Sequence, residues 1–237
     1  MDPAGDRTRA ADTRPVISAT GLYHIFRETT VETVALRGAR IALLSGTWTS
    51  VMGPSGSGKS TLLHVMAGML EPSGGAVMLD GEDITRLSAP DRARRRRQRI
   101  GVVLQRDNLH PLLDVRGNIE LPLRLGGVRR SRAGARADAL LDRVHLSDRQ
   151  HRTAAQLSGG EAQRAAVAVA LAADPAVLLA DEPTGELDEA TAESVLALLG
   201  DARDGGMAVL TVTHSPQVAS RADRALVMTD GLVRDDG

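Results

Sequence analysis

Three stretches of the chain are continuously aliphatic and carry no polar alternation: Ile100–Leu104, Val177–Ala180 and Val209–Val212. A strand that is apolar on both faces has a layer packed against each, as parallel strands do. Other strand-like runs are Val16–Thr20, Arg40–Leu44, Thr47–Met52, Ala76–Leu79 and Ala225–Met228. Two of the aliphatic runs extend to Val177–Asp181 and Met207–Thr213, and helix-compatible segments lie between the strands. The tight-turn signals Asp80-Gly81 and Asp230-Gly231 predict small antiparallel hairpins flanking the core. Between Asn118 and Gln156 the strand signal disappears. There Leu121–Leu125 and Ala133–Val144 read as short amphipathic helices, broken at Gly126-Gly127 and Ser147-Asp148. The pattern predicts an α/β core with a helical insertion.

Composition narrows this outline. At 237 residues the chain is one large domain or a core plus a subdomain. Residues 1–15 are polar and read as a flexible tail, with the folded unit over 16–237. A net charge of −1 gives no global electrostatic case for a nucleic-acid partner, and none is expected. The absence of cysteine rules out disulfides and thiolate zinc sites and fits a reducing compartment. The longest uncharged apolar stretch, Ala165–Ala173, is far short of the ~20 residues of a membrane span. A soluble chain is expected, so any membrane connection runs through another subunit. The run Arg92–Arg99 is short and has no interleaved aromatics, and it reads as a solvated or partner-facing helix.

The chain has one lysine against 28 arginines, and that lysine closes Gly53-Pro54-Ser55-Gly56-Ser57-Gly58-Lys59-Ser60-Thr61. The spacing GxxxxGK[ST] lets backbone N–H groups converge on phosphate oxygens, and a slim ammonium reaches the outer phosphates where a planar guanidinium is bulkier. A strand-like run precedes the loop and a helix-compatible one follows. Bound phosphates would therefore meet a helix N-terminus. The motif predicts binding of a nucleoside triphosphate.

A phosphate loop alone leaves kinases, GTPases, helicases and transport ATPases open. Leu157-Ser-Gly-Gly-Glu-Ala-Gln-Arg164 opens a helix with Ser158 at the cap and Gly159 and Gly160 behind it. Taken alone it reads equally as a helix cap or as a second anion site of bare N–H groups. The apolar strand Ala176–Ala180 ends in two carboxylates. Asp181 can reach a Mg²⁺ shell, and Glu182 can face the γ-phosphate and polarise water. His214, just past another buried strand, fits a γ-phosphate sensor, and Gln105, placed likewise, is a candidate Mg²⁺ or water contact.

In this order and spacing, the phosphate loop, Gln105, Leu157–Arg164, Asp181-Glu182, Gly185–Asp188 and His214 resemble the nucleotide-binding subunit of ABC transporters over about residues 16–235. Within that superfamily, Gly53–Leu63, Val115–Pro122 and Asp181–Asp188 are most similar to the cassettes of lipoprotein-release, macrolide-export and cell-division systems. The resemblance implies a P-loop NTPase, RecA-like, with an antiparallel β subdomain and a helical subdomain at about 107–160. It implies ATP and Mg²⁺ as ligands, with Lys59, Ser60, Thr61 and the loop backbone on the phosphates. Ser60, Gln105 and Asp181 would serve the metal, Glu182 would be the general base, and His214 would contact the γ-phosphate. It also implies head-to-tail pairing of two cassettes, so that ATP on Lys59 is completed by Ser158, Gly159 and Gly160 of the other, with Asp188 at the seam. Integral membrane permease subunits would dock on the region from Gln105 to about Pro122, holding the chain on the inner, cytoplasmic face of the membrane. The adenine-stacking aromatic falls on Phe26 by register, with Tyr23 as the alternative. Two positions depart from the family pattern, Leu104 for a phenylalanine and Val169 for an arginine, and neither removes a catalytic group. Soluble ABC ATPases of DNA repair or translation carry tandem cassettes, coiled coils or cysteine–zinc insertions that this sequence lacks. Regulatory, cell-division-type cassettes that bind ATP without coupling to transport form a third class, against which intact Glu182 and His214 speak.

Overall fold

The computed structural model describes residues 14–28, 31–185 and 187–235. Most of the expected tail over 1–15, and Glu186 within Gly185–Asp188, lie outside them. Two sheets organise the chain. The first is antiparallel, in the order β2-β1-β4-β5, from β1 (Ile17–Glu28), β2 (Val31–Leu43), β4 (Gly74–Leu79) and β5 (Glu82–Asp83). The second runs β10-β9-β3-β8-β7-β6, from β3 (Trp48–Met52), β6 (Ile100–Val103), β7 (Val177–Asp181), β8 (Ala208–Thr213), β9 (Arg224–Thr229) and β10 (Leu232–Asp235). In it β9, β3, β8, β7 and β6 are parallel, and only β10 runs antiparallel.

The missing alternation in β7 and β8 has a direct cause. Leu178, Ala180 and Val209 belong to one core, shared with Trp48, Ile119 and the alanine-rich face of α5 (Gly159–Leu171). Val177, Leu179, Leu210 and Val212 belong to a second core with Leu22, Leu36 and the phosphate-loop helix α1 (Lys59–Met66). Alternate residues of one strand thus feed different cores, each leucine contributing about 1.5–3 kcal/mol by burial.

Several elements differ from the sequence reading. β1 and β2 run well past Val16–Thr20 and Arg40–Leu44, because register shifts at Ala19/Leu22, Leu22/Tyr23 and His24/Ile25 break the period-2 pattern while the pairing continues. Both turn signals hold: β4–β5 and β9–β10 are antiparallel hairpins. The first insertion helix, α3, begins at Val115 with Asp114 as its cap, well before Leu121, and runs through Gly117 and Pro122 to Leu125. The second, α4 (Arg130–Arg143), packs on α3.

The arginine run forms helix α2 (Ala89–Arg99), capped by Ser88. It is less solvated than its composition suggests, because four of its arginines bind residues outside the helix. Arg99 Nε bonds Asp80 at 2.7 Å, Arg95 pairs with Glu82 at 3.0 Å and Arg92 with Glu71 at 3.2 Å, and Arg96 donates to the Gly68 carbonyl at 2.9 Å. The helix thus straps the antiparallel sheet to the end of α1.

Candidate functional site: the phosphate loop and the strand-end acids

The loop from Gly53 to Gly58 joins β3 to α1. A Cβ on Gly53 would lie 2.2 Å from the Met228 carbonyl oxygen, and one on Gly58, at φ +102°, would lie 2.3 Å from the Ala35 carbonyl oxygen. Only glycine fits between these two backbone walls. The Ser57 carbonyl accepts Gly231 N–H at 3.0 Å, so the β9–β10 hairpin also holds the loop. Pro54, Ser55 and Gly56 form its exposed crest, and Ser57 is buried. Lys59 is 8% exposed, and its Nζ donates to the Gly53 carbonyl at 2.7 Å and the Pro54 carbonyl at 2.9 Å. An ammonium has three protons, so one donor remains for a ligand. Thr61 follows Ser60 in the first turn of α1.

Asp181 and Glu182 are adjacent in sequence and turned to different partners. Asp181 ends β7, is 4% exposed, and faces Ser60 at the start of α1. Burial pushes its carboxyl above the ordinary carboxylate range, against the opposing pull of Ser60, His64 and Lys59. Glu182 takes φ +45°, rare for a residue with a Cβ, and its N–H still bonds the Val212 carbonyl at 2.9 Å. Its carboxylate accepts from Thr213 Oγ1 at 2.9 Å, His214 Nδ1–H at 2.8 Å and His214 N–H at 3.4 Å. With Nδ1 bound to Glu182, Nε2 is the ring nitrogen left to meet a ligand. Sequence reasoning found Glu182 and His214 separately and missed Thr213. A hydroxyl beside a histidine at the end of an apolar strand was the available signal.

Ser158 caps α5. Its hydroxyl accepts Glu161 N–H at 3.2 Å, while Glu161 accepts Ser158 N–H at 2.8 Å. That second bond, joined by Arg149, holds the Glu161 carboxyl below its usual range. Asp188 caps α6 (Glu189–Asp204), accepting from Thr191 N–H at 3.0 Å and Thr191 Oγ1 at 2.6 Å, and these bonds lower its pKa. The two helix starts touch: a Cβ on Gly160 would stand 2.2 Å from Thr191 Cγ2, and one on Gly159 4.0 Å from Leu187. Thr191, which no motif singled out, is the contact between them. Gln105 is exposed on the wall of a groove of about 950 Å³ that also includes Gly159, Gln163, Gly185 and Leu187. The partners of Asp181 and Glu182 named above do not include Gln105.

Phe26 lies on β1, 42% exposed and opposite Thr33, two residues before Ala35, whose carbonyl abuts Gly58. Tyr23, 49% exposed, lies over Gly38, its hydroxyl 3.2 Å from where a Cβ would be.

The family model for the ABC transporter matches residues 36–185. The chain belongs to the ABC transporter ATP-binding cassettes. The lipoprotein-releasing system ATP-binding protein LolD of Hyphomonas neptunium is 41% identical over 224 residues, covering 94% of this cassette and 98% of that protein. The macrolide export ATP-binding/permease protein MacB 2 of Aeromonas hydrophila is 39% identical over 222 residues, covering 94% of this cassette and 34% of its own length. This cassette thus spans about a third of the MacB relative and nearly all of LolD. A dimeric post-hydrolysis structure of the ATP-binding cassette MJ0796, bound to ADP and Pi, superposes with a TM-score of 0.86 at 34% identity, covering 92% of this cassette and 96% of that one. The cassette is a P-loop ATPase of the LolD/MacB type that binds and hydrolyses ATP. Its donor set also fits a hard divalent cation. Ser60 offers a hydroxyl beside the buried Asp181 carboxylate, and Mg²⁺ is held by few protein oxygens because water and phosphate complete its shell.

Proposed function

We propose that the chain is the ATP-hydrolysing subunit of a transporter whose membrane path lies in separate permease subunits, powered by ATP-driven pairing of two cassettes. The observation that carries the catalytic part is the divided orientation of the strand-end acids, Asp181 toward Ser60 and Glu182 toward Thr213 and His214. Lys59, Thr61 and the backbone of Gly53–Gly58, through its N–H groups other than at Pro54, hold the phosphates. Ser60, Asp181 and Gln105 hold Mg²⁺, which when bound neutralises charge on the phosphoryl oxygens. Glu182, oriented by Thr213, takes the proton of the attacking water, a contribution of about 10²–10⁴ in rate. His214 keeps Nε2 free to engage the γ-phosphate side of the site. Phe26 stacks on the base.

Ser158 and Gly159 are exposed and Gly160 half-buried at a helix start whose first N–H groups have no intrahelical acceptor. That supports their completing the site of a second cassette, with Asp188 at the seam. That the cassette MJ0796 is dimeric in its post-hydrolysis structure supports pairing of two cassettes. Permease docking is supported by an apolar surface on the insertion. Leu113, Leu121 and Leu125 line a groove of about 360 Å³, and the neighbouring Leu112 is 85% exposed. No helix among the described residues is long and apolar enough to cross a membrane, and we place the chain on the inner face through that permease. We read residues 1–15 as a tail and 16–237 as the cassette, with the helical subdomain at about 107–160.

The test is the oligomeric state of Glu182→Gln with Mg·ATP. Removing the base while keeping the phosphate contacts should accumulate an ATP-bound dimer, visible by sizing chromatography, and adding Ser158→Arg should return it to monomer. A Glu182→Gln protein that stays monomeric, with and without its permease, or a dimer indifferent to Ser158→Arg, refutes the sandwich.

A further inference from the structure

One ring-bearing residue next to the nucleotide site has no role in the mechanism above. His24 is a buried polar side chain on β1, two residues before Phe26 and opposite Leu36. Its Nδ1–H donates to the Glu71 carbonyl at 3.1 Å. Its ring meets Phe26 edge to face, with centroids 4.5 Å apart and planes at 76°. Phe26 is itself partly exposed, and the His24 ring bounds one side of where its ring can stand.

The anchor behind His24 is built from three consecutive strand residues. Ser73 N–H bonds the Tyr23 carbonyl at 2.8 Å, the Glu71 carbonyl accepts from His24 Nδ1–H, and Ile25 N–H bonds Ser73 Oγ at 3.1 Å. Glu71 is held in turn by Arg92 of α2 at 3.2 Å. The segment Glu71–Ser73 follows directly from the end of α1, where Met69 and Leu70 N–H groups both reach the His64 carbonyl. The exit of the phosphate-loop helix is therefore clamped to the strand that carries Phe26, and the side chain that transmits the clamp to the aromatic ring is His24.

We propose that His24 is a positioning residue for base recognition: it holds the Phe26 ring at a fixed setting relative to the phosphate loop, so that a purine base meets a preorganised stacking face. This rests on Phe26 being the base-stacking residue. A partly exposed phenylalanine ring has rotameric freedom to lose on binding, and a fixed edge-to-face neighbour removes that cost beforehand. Histidine suits the position because one side chain supplies both the flat aromatic partner and the N–H that satisfies the Glu71 carbonyl.

The experiment compares ATP with inorganic tripolyphosphate, which carries the phosphates but no base, by calorimetric titration of the full-length protein. Phe26→Ala should weaken ATP binding about 5- to 150-fold and leave tripolyphosphate unchanged. His24→Ala should weaken ATP about two- to tenfold and also spare tripolyphosphate. In the Phe26→Ala background, His24→Ala should have no further effect. His24→Asn retains an amide donor near the Nδ1 position but has no ring. It should stay folded and show the same ATP-specific loss, which covers the case where His24→Ala does not fold. ATP binding unchanged in His24→Ala or His24→Asn, with Phe26→Ala impaired, overturns the proposal alone. Equal losses for His24→Ala with and without Phe26, or equal losses for ATP and tripolyphosphate, also overturn it. ATP binding unchanged in Phe26→Ala overturns the base-stacking reading and the proposal with it.

Discussion

Two glycines of the phosphate loop have left-handed backbones but different surroundings, and this difference sets a quantitative prediction. Gly56 has φ +79°, and a Cβ added there would meet nothing within 4 Å, so Gly56→Ala adds only the strain of an L side chain at positive φ. That strain is about 1 kcal/mol. Gly58 has φ +102°, and its Cβ would stand 2.3 Å from the Ala35 carbonyl oxygen and 3.0 Å from Met228 Cε. The methionine tip can swing away, but Ala35 is fixed in β2 between β1 and the hairpin contact of Arg37 with Gly231. Gly58→Ala therefore adds an overpacking cost of about 1–3 kcal/mol to the same strain, roughly 3 kcal/mol in all. For a chain of this size each kcal/mol shifts Tm by about 2–4 °C. Thermal unfolding without nucleotide should thus show a fall of about 2–4 °C for Gly56→Ala and about 6–12 °C for Gly58→Ala. Equal shifts for the two variants would show that β2 yields to the loop, and the wall at Ala35 would then not explain the glycine.

Lys59→Ala should abolish tight Mg·ATP binding and turnover, and Lys59→Arg should fail to rescue them, because the cradle at the Gly53 and Pro54 carbonyls is built around an ammonium; near-wild-type ATPase activity in either variant refutes this. Burial raises the Asp181 carboxyl above the ordinary aspartate value, so ionising it costs more in the folded chain than in the unfolded one. That penalty is absent at acid pH, where the carboxyl is protonated in both states. It grows as pH rises through the unfolded value and is complete above the raised folded one. Asp181→Asn should therefore raise the Tm of the metal-free, nucleotide-free protein at neutral and alkaline pH, with little effect in acid, while losing ATPase activity. A lower Tm across the whole pH range contradicts it.

Much of the site could be read from sequence, because its chemistry is carried by residue types at short, fixed spacings. A single lysine after Gly58, paired acids closing an aliphatic strand, and Ser158-Gly159-Gly160 opening a helix are local patterns. Local backbone geometry alone sets out the glycine-rich loop, the strand-end carboxylates and the capped helix start. The three non-alternating runs likewise announced buried parallel strands, since a strand with two covered faces has no polar side to display. Both hairpins were legible from Asp-Gly pairs, whose turn preference is equally local.

What remained hidden depends on residues far apart in sequence. The long course of β1 and β2 was concealed by register shifts, since a bulge breaks the alternation while leaving the ladder intact. The arginine helix looked solvated because its acceptors, Asp80, Glu82, Glu71 and the Gly68 carbonyl, belong to other elements. Nothing in the order of residues says that Glu182 turns to His214 while Asp181 turns to Ser60. That division requires β7, β8 and α1 side by side and a backbone at φ +45°. Residue identity and spacing were enough to say which chemical groups the cassette carries and on which kind of element each stands. Which of those groups meet was settled by the folded arrangement, because hydrogen bonds and steric walls act over a few ångströms in space whatever the separation along the chain.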